Sequence, residues 1–293
     1  MKLRVRHVTR YDYSLPVSQS VNRLCLLPAS GPHQRLLSQR VDVLPEPGTT
    51  DLGTDSWGNA VARFSIDEPH TSCRVCVVSL LDTRDEPPSP PPSLGVGENL
   101  ARLRRAGGAA GLMAHDCLLP SPYVPADDAV DALLAECPAE GRSVLEHAEA
   151  LMHHVHATFE YDPKFSTLVT PLSAVVKARR GVCQDFAHLA IAALRRAGVP
   201  ARYVSGYLET LPPPGRAKLR GADASHAWFA VHVPGAGWHD FDPTNDRRPD
   251  GQYVTTAWGR DYGDVAPLRG VVYGGGEHRL RVEVDVDRTE EAA

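Results

Sequence analysis

Three side chains stand where they could do nucleophilic chemistry if the chain folds as its local patterns dictate: Cys183, His226 and Asp242. Cys183 lies in the run Gly181-Val-Cys-Gln-Asp-Phe186, just ahead of an apolar stripe of Phe186, Leu189, Ala190, Ala193 and Ala197. Steps of three and four residues put that stripe on one face of a helix, which Gly198 and Pro200 end. Upstream, Thr170 as N-cap and Pro171 as first residue are expected to open a short helix that Gly181 closes. The thiol therefore falls on the first turn of a new, half-buried helix. Unpaired N–H groups and the helix dipole there favour the thiolate, which is the reactive form of cysteine. A small core residue is the competing reading, because most free cysteines are simply buried. Partners decide between the two.

Those partners come from a hairpin. Ser225-His226-Ala-Trp228-Phe-Ala-Val-His232-Val233 alternates as a strand, Pro234-Gly-Ala-Gly237 turns the chain, and Trp238-His-Asp-Phe-Asp242-Pro243 returns. With the turn centred near Gly235, Asp242 falls beside Trp228 or His226, within one or two positions. His232 falls next to the turn instead, about four residues or ~13 Å along the strand from Asp242. A carboxylate that orients a catalytic imidazole must hydrogen-bond it, so His226 qualifies and His232 does not.

The surrounding elements must hold these groups in place. The chain has 293 residues, with 42% apolar and 23% charged content, which suits a soluble globular protein of one large or two ordinary domains. A net charge of −5 without any basic run argues against nucleic acid as a partner. No run of eighteen apolar residues is present, so no membrane partner is expected, and the charged start is unlike a signal peptide. Six cysteines without regular spacing do not suggest a disulfide framework, and a cytoplasmic location is the expectation.

Residues 1–84 read as a β domain: Leu3, Val5 and His7 alternate with charged neighbours, and Val41, Val61, Phe64, Ile66, Val75 and Val77 mark further strands. Cys73-Arg-Val-Cys76 has metal-ligand spacing, but no second Cys/His pair lies nearby and a strand would point the two thiols to opposite faces. Residues 85–100 form a Pro/Gly-rich linker by composition. Helical patterns begin after it, and 101–293 is the expected catalytic domain. There Ser143 and Glu146 make a capping box ahead of a Val144, Ala148, Leu151, Met152, Val155 stripe. His153, His154 and His156 end that helix without a completing carboxylate or cysteine, so no metal site is expected. The proline-led, basic loop 211–221 carries Arg216, Lys218 and Arg220 between two strands. It is read either as a solvated connection or as a lid or rim that gathers acidic substrate.

Gly-Val-Cys183-Gln-Asp, Ser-His226-Ala-Trp and Phe-Asp242-Pro-Thr together resemble the Cys, His and Asp motifs of the transglutaminase-like superfamily. More narrowly, the chain is similar to bacterial transglutaminase-like proteins with their own N-terminal β domain. The likeness runs from Tyr11-Asp-Tyr13 through Asp55-Ser-Trp-Gly58-Asn59 and Tyr203-Val-Ser-Gly206-Tyr to Gly259-Arg-Asp261-Tyr. It implies an α+β fold: a β-sandwich-like N-terminal domain, then a papain-like core whose Cys helix packs on an antiparallel sheet. It also implies a triad of Cys183 as nucleophile, His226 as base and Asp242 as orienting group, acting on a peptide or protein substrate without cofactor or metal. The Cys183 N–H is the first oxyanion donor to consider; Gln184, Tyr161 and Trp228 are further site-lining candidates. Animal transglutaminases have Gln before and Trp after the Cys, whereas Val182 and Gln184 stand here. Amide hydrolysis through a thioester is therefore the expectation, with transfer to an amine as the alternative and a non-catalytic binding module of the same fold as the contrasting class.

Overall fold

The computed structural model describes residues 1–86, 89, 91–210, 221 and 223–289. Strand β1 (Lys2–Leu27) organises the N-terminal half, because it is long enough to serve two sets of neighbours. β2 (Gln34–Leu44), β3 (Thr49–Thr54), β4 (Ala60–Ile66) and β5 (His70–Thr83) join it in the antiparallel order β2-β5-β1-β4-β3. The first half of β1 pairs with β5 and the second half with β4, and the ladder with β5 breaks between Asp12 and Val17. Pro16 lies in that break, where a residue without an N–H costs least. Leu3 and Val5 from the first half of β1 meet Leu24 from the second half, and Phe64 and Ile66 of β4, in a common core, which gives the sandwich-like character expected. Cys73 and Cys76 on β5 are both buried and free.

The expected linker is shorter than its composition suggested. Helix α1 (Val96–Leu103) starts inside it, because Asn99 and Leu103 share one buried helical face. α2 (Gly108–Asp116), α3 (Ala129–Glu136) and α4 (Val144–Thr158) follow. The Ser143–Glu146 box caps α4 reciprocally, with the Ser143 N–H donating to Glu146 at 2.8 Å. Next come the two-residue strand β6 (Glu160–Tyr161), α5 (Leu172–Ala178), the two-residue β7 (Arg180–Gly181) and α6 (Cys183–Arg196). Pro171, not Thr170, caps α5, and the Thr170 hydroxyl instead accepts the Thr167 N–H at 2.9 Å. Arg179 in the left-handed region ends α5, and Gly181 pairs in β7.

A four-stranded antiparallel sheet completes the core: β8 (Ala201–Leu208), β9 (Ser225–Val233), β10 (Gly237–Phe241) and β11 (Tyr253–Gly259), in the order β10-β9-β8-β11. Phe186, Leu189, Ala190 and Ala193 of α6 are buried with Ala227, Phe229 and Val231 of β9, each large apolar side chain contributing about 1.5–3 kcal/mol. Trp228 and Ala230 alternate to the opposite face, with Val204 and Tyr253. This is the Cys helix on an antiparallel sheet that the resemblance implied.

The chain then returns to its start. After α7 (Tyr262–Val265), β12 (Leu268–Gly274) and β13 (His278–Arg288) both pair with β1, so the N-terminal sheet has seven strands drawn from both chain ends. The expected span 101–293 thus contains two strands that belong to that sheet. The Gly259-Arg-Asp261-Tyr run braces α6 from outside: Asp261 caps α7, and the Tyr262 N–H donates to the buried His188 Nε2 at 3.1 Å. Among the described residues no helix is long and apolar enough to cross a membrane. The lid or rim expected at 211–221 lies, Gly221 apart, outside the described residues.

Candidate active site

The corner carrying Cys183 is built around Asp185. Val182 caps α6 with extended backbone, and Asp185 turns back so that its Oδ2 accepts the Val182 N–H at 2.8 Å and the Ser166 hydroxyl. A Cβ at Gly181 would stand 2.8 Å from the Asp185 Cβ, so the glycine leaves room for this fold-back. β6 pairs with β7 and brings Tyr161 opposite Gly181. Cys183 is the first helical residue and keeps an N–H without an intrahelical partner. It is half-buried, whereas the other five cysteines are buried. Burial pushes the thiols of Cys25, Cys73 and Cys117 up to about 11.

The hairpin has the register its turn residues dictate. Gly235 and Gly237 take positive φ at the turn, and Phe229 pairs with Phe241, which sets Asp242 opposite Trp228. From there its carboxylate reaches diagonally to His226, whose Nε2 lies 2.7 Å from Asp242 Oδ2. With Nε2 held by the carboxylate, Nδ1 is the ring nitrogen that remains for another partner. Burial opposes a charge on His226, but hydrogen bonds to Asp242 and Cys183 outweigh it and push its pKa up to about 10. His232 pairs with Trp238 beside the turn, their rings 5.1 Å apart, away from Asp242.

Asp242 is wholly buried and fully used. Its Oδ2 accepts from His226, from Asn245 Nδ2 and from the Tyr253 hydroxyl, each at 2.7 Å. Its Oδ1 accepts the N–H of Thr244 at 2.9 Å and of Asn245 at 3.3 Å. Burial alone would raise this carboxyl, yet the contacts from His226, Asn245 and Tyr253 hold it below the ordinary value. The loop that carries it is closed by two backbone bonds between Asp242 and Arg247. The end of α4 clamps the same loop: His153 meets the Asp246 carboxylate, and His156 Nδ1 meets the Thr244 carbonyl at 3.0 Å. His154 instead pairs with Glu136 at 2.9 Å, so the three histidines serve separate partners.

The remaining candidates fall at different depths. Tyr161 is 53% exposed and packs edge-on against Phe186. Burial first, and then the charge of Cys183, push its hydroxyl pKa up. Gln184 is half-buried on the first turn of α6. Trp228 is fully buried with its ring 6.0 Å from that of His226, so it floors the imidazole and does not face the opening. Among the described residues no group of three or more His, Cys, Asp or Glu gathers as a metal site. The pattern reading did not single out Asn245, Tyr253, Ser166 or the structural use of Asp185. Asp-Pro-Thr-Asn does carry a signal for Asn245, as an Asp whose side chain accepts backbone N–H groups two and three residues on. Tyr253 comes from a separate strand and has no local signal.

Residues 3–82 match the profile of the bacterial transglutaminase-like N-terminal region, and residues 131–243 match that of the transglutaminase-like superfamily. An uncharacterized protein of Mycobacterium tuberculosis is 36% identical, over 98% of this chain and 92% of its own length. A protein-glutamine gamma-glutamyltransferase of Pseudomonas aeruginosa is 30% identical over 46% of this chain and 22% of its own length. In fold, the chain is similar to a crystal structure from Cytophaga hutchinsonii described as a candidate cysteine protease, with a TM-score of 0.73 and 22% identity, covering 100% of this chain and 92% of the other. The chain belongs to the transglutaminase-like superfamily and carries the N-terminal region of its bacterial members.

Proposed function

We propose that the protein is a thiol-dependent acyl-transfer enzyme acting on amide bonds of a peptide or protein, with hydrolysis as the outcome. Cys183 is the nucleophile, His226 the base and Asp242 the group that orients it. The observation that carries this reading is the 2.7 Å contact of His226 Nε2 with a buried Asp242 held below the ordinary carboxylate value, in a chain where Cys183 is the one half-buried thiol among the six cysteines.

The chemistry follows in two halves. His226, already carrying the proton and steadied as an imidazolium by Asp242, pairs with the Cys183 sulfur, which attacks the amide carbonyl carbon. The carbonyl oxygen gathers negative charge, and we assign the Cys183 N–H, with the Tyr161 hydroxyl as a second candidate, to meet it. His226 then gives its proton to the departing nitrogen as the C–N bond breaks, leaving a thioester. Water attacks the thioester, His226 takes the water proton, and the C–S bond breaks, which restores the pair.

Transfer to a primary amine in place of water is the second reading, favoured by the likeness to a protein-glutamine gamma-glutamyltransferase over part of the chain. Incubating the protein with glutamine-containing peptides, with and without a primary alkylamine, separates the outcomes by product mass. Hydrolysis gives a cleaved or deamidated peptide in both mixtures; transfer gives the amine adduct. No product from the parent chain, or undiminished product from Cys183→Ala, would overturn the enzymatic reading.

A further inference from the structure

The sheet face that Trp228 shares holds a second feature, which the triad does not use. A cavity of about 540 Å³ opens between β8, β10 and β11 on one side and the loop from Ala29 to Gln34 on the other. Gln34 fixes that loop over the sheet: its Nε2 donates to the carbonyls of Ala29 and Thr255, and its Oε1 accepts the Thr255 N–H, each at 2.8 Å. The cavity is therefore built before any ligand arrives, and it lies at a junction of two sheets, where small-molecule sites concentrate.

Its floor has a specific layout. Arg202 on β8 and Asp240 on β10 both pair with Ala230 on β9, so they rise from one row of the sheet on either side of a small residue. Two strand spacings separate their backbones, about 10 Å. The Arg202 guanidinium is stacked against the indoles of Trp238 and Trp258, at 4.3 and 4.7 Å. Its Nε is buried and has no hydrogen-bond partner among the described residues. Asp240 Oδ1 is likewise buried and unpartnered, and the Trp228 indole N–H approaches Asp240 without reaching hydrogen-bond geometry. Burial lowers the Arg202 pKa to about 10, against the pull of Asp240. Opposite charges that face each other across a gap without closing it are an expensive arrangement unless something lies between them.

We propose that this cavity binds a free α-amino acid with an apolar side chain. Arg202 receives the carboxylate, Asp240 receives the ammonium group, and Val204, Trp238 and Trp258 hold the side chain. The stacked, planar guanidinium is pre-organised for a two-pronged carboxylate contact. The zwitterion satisfies both buried charges at once, which neither an acid nor an amine alone can do.

The test is calorimetric titration of the full-length protein with L-phenylalanine, with 3-phenylpropanoate (no amino group) and with 2-phenylethylamine (no carboxylate). Phenylalanine is expected to bind, and each truncated analogue to bind at least about ten-fold more weakly, since each leaves one buried charge unpaired. Arg202→Gln and Asp240→Asn should each lose about ten-fold or more, with alkylation of Cys183 unchanged. Absence of binding up to about 10 mM phenylalanine, or undiminished binding to either folded variant, overturns the proposal. Should both variants fail to fold, the three ligands decide on the parent protein alone: analogues that match phenylalanine overturn it.

Discussion

Asp240 and Asp242 stand two residues apart at the end of β10, one half-buried and the other wholly buried, yet they behave in opposite ways. Five donors converge on Asp242, and its carboxyl is held below the ordinary value. Asp240 keeps an oxygen without a partner, and burial pushes its carboxyl up. Desolvation pushes up on both carboxyls, so it is the placement of hydrogen-bond donors that separates the one held low from the one pushed up. The difference is the basis for proposing Asp242 for catalysis and Asp240 for the neighbouring cavity.

Substitution at the two positions is the strongest way to break that comparison. Asp242→Asn should cost about 10⁴-fold in turnover, as loss of the orienting carboxylate does in serine triads, while Asp240→Asn should stay within a few-fold. A peptide-turnover assay on both variants checks this. Equal losses would mean that the two carboxylates do not differ in role.

Tyr253→Phe sharpens it next. The change removes one of the three donors to Asp242 Oδ2 and leaves the ring in its contact with Trp228, so an activity loss of about ten-fold is expected, along with about 1.5–3 kcal/mol of stability. Denaturant melts and kinetics on the same preparation read both. Unchanged kinetics would show that the remaining donors suffice.

How much of this was legible without coordinates follows from which contacts are local. The Cys183 helix and the His226–Asp242 pairing were readable, because a stop signal and a glycine turn fix their registers within twenty residues. Tyr253 was not, since β11 reaches Asp242 only through sheet order, which no periodicity encodes. The same holds for the return of β12 and β13. The alternation in Arg279-Leu-Arg-Val-Glu-Val-Asp-Val286 marks a strand, but nothing in it names β1 as the partner. The Arg202–Asp240 row needed two strand registers at once.

The pH dependence of stability gives a smaller effect with a definite sign. His226 has its pKa raised to about 10 in the folded state, so its contribution is complete below the unfolded value of about 6.5 and is lost as pH rises through about 10. Asp242, with its pKa lowered, contributes above the ordinary carboxylate range and loses that contribution in acid. Melts of the parent should therefore weaken from pH 7 to 10 more steeply than those of His226→Ala. Parallel curves would remove the assigned interaction. The smallest effect belongs to His232→Ala, which should leave turnover within a few-fold, because His232 lies beside Trp238 and away from the triad. A dead His232 variant would mean that the wrong histidine has been assigned.

The central claim is that Cys183 is the thiol that His226 activates, and alkylation tests it without knowledge of the substrate. Brief iodoacetamide treatment of the native protein, followed by peptide mapping, should mark Cys183 well ahead of Cys25, Cys73, Cys76, Cys117 and Cys137, which are buried. The rate at Cys183 should fall in His226→Ala. Uniform labelling of the six cysteines, or a Cys183 rate indifferent to His226, would contradict the account.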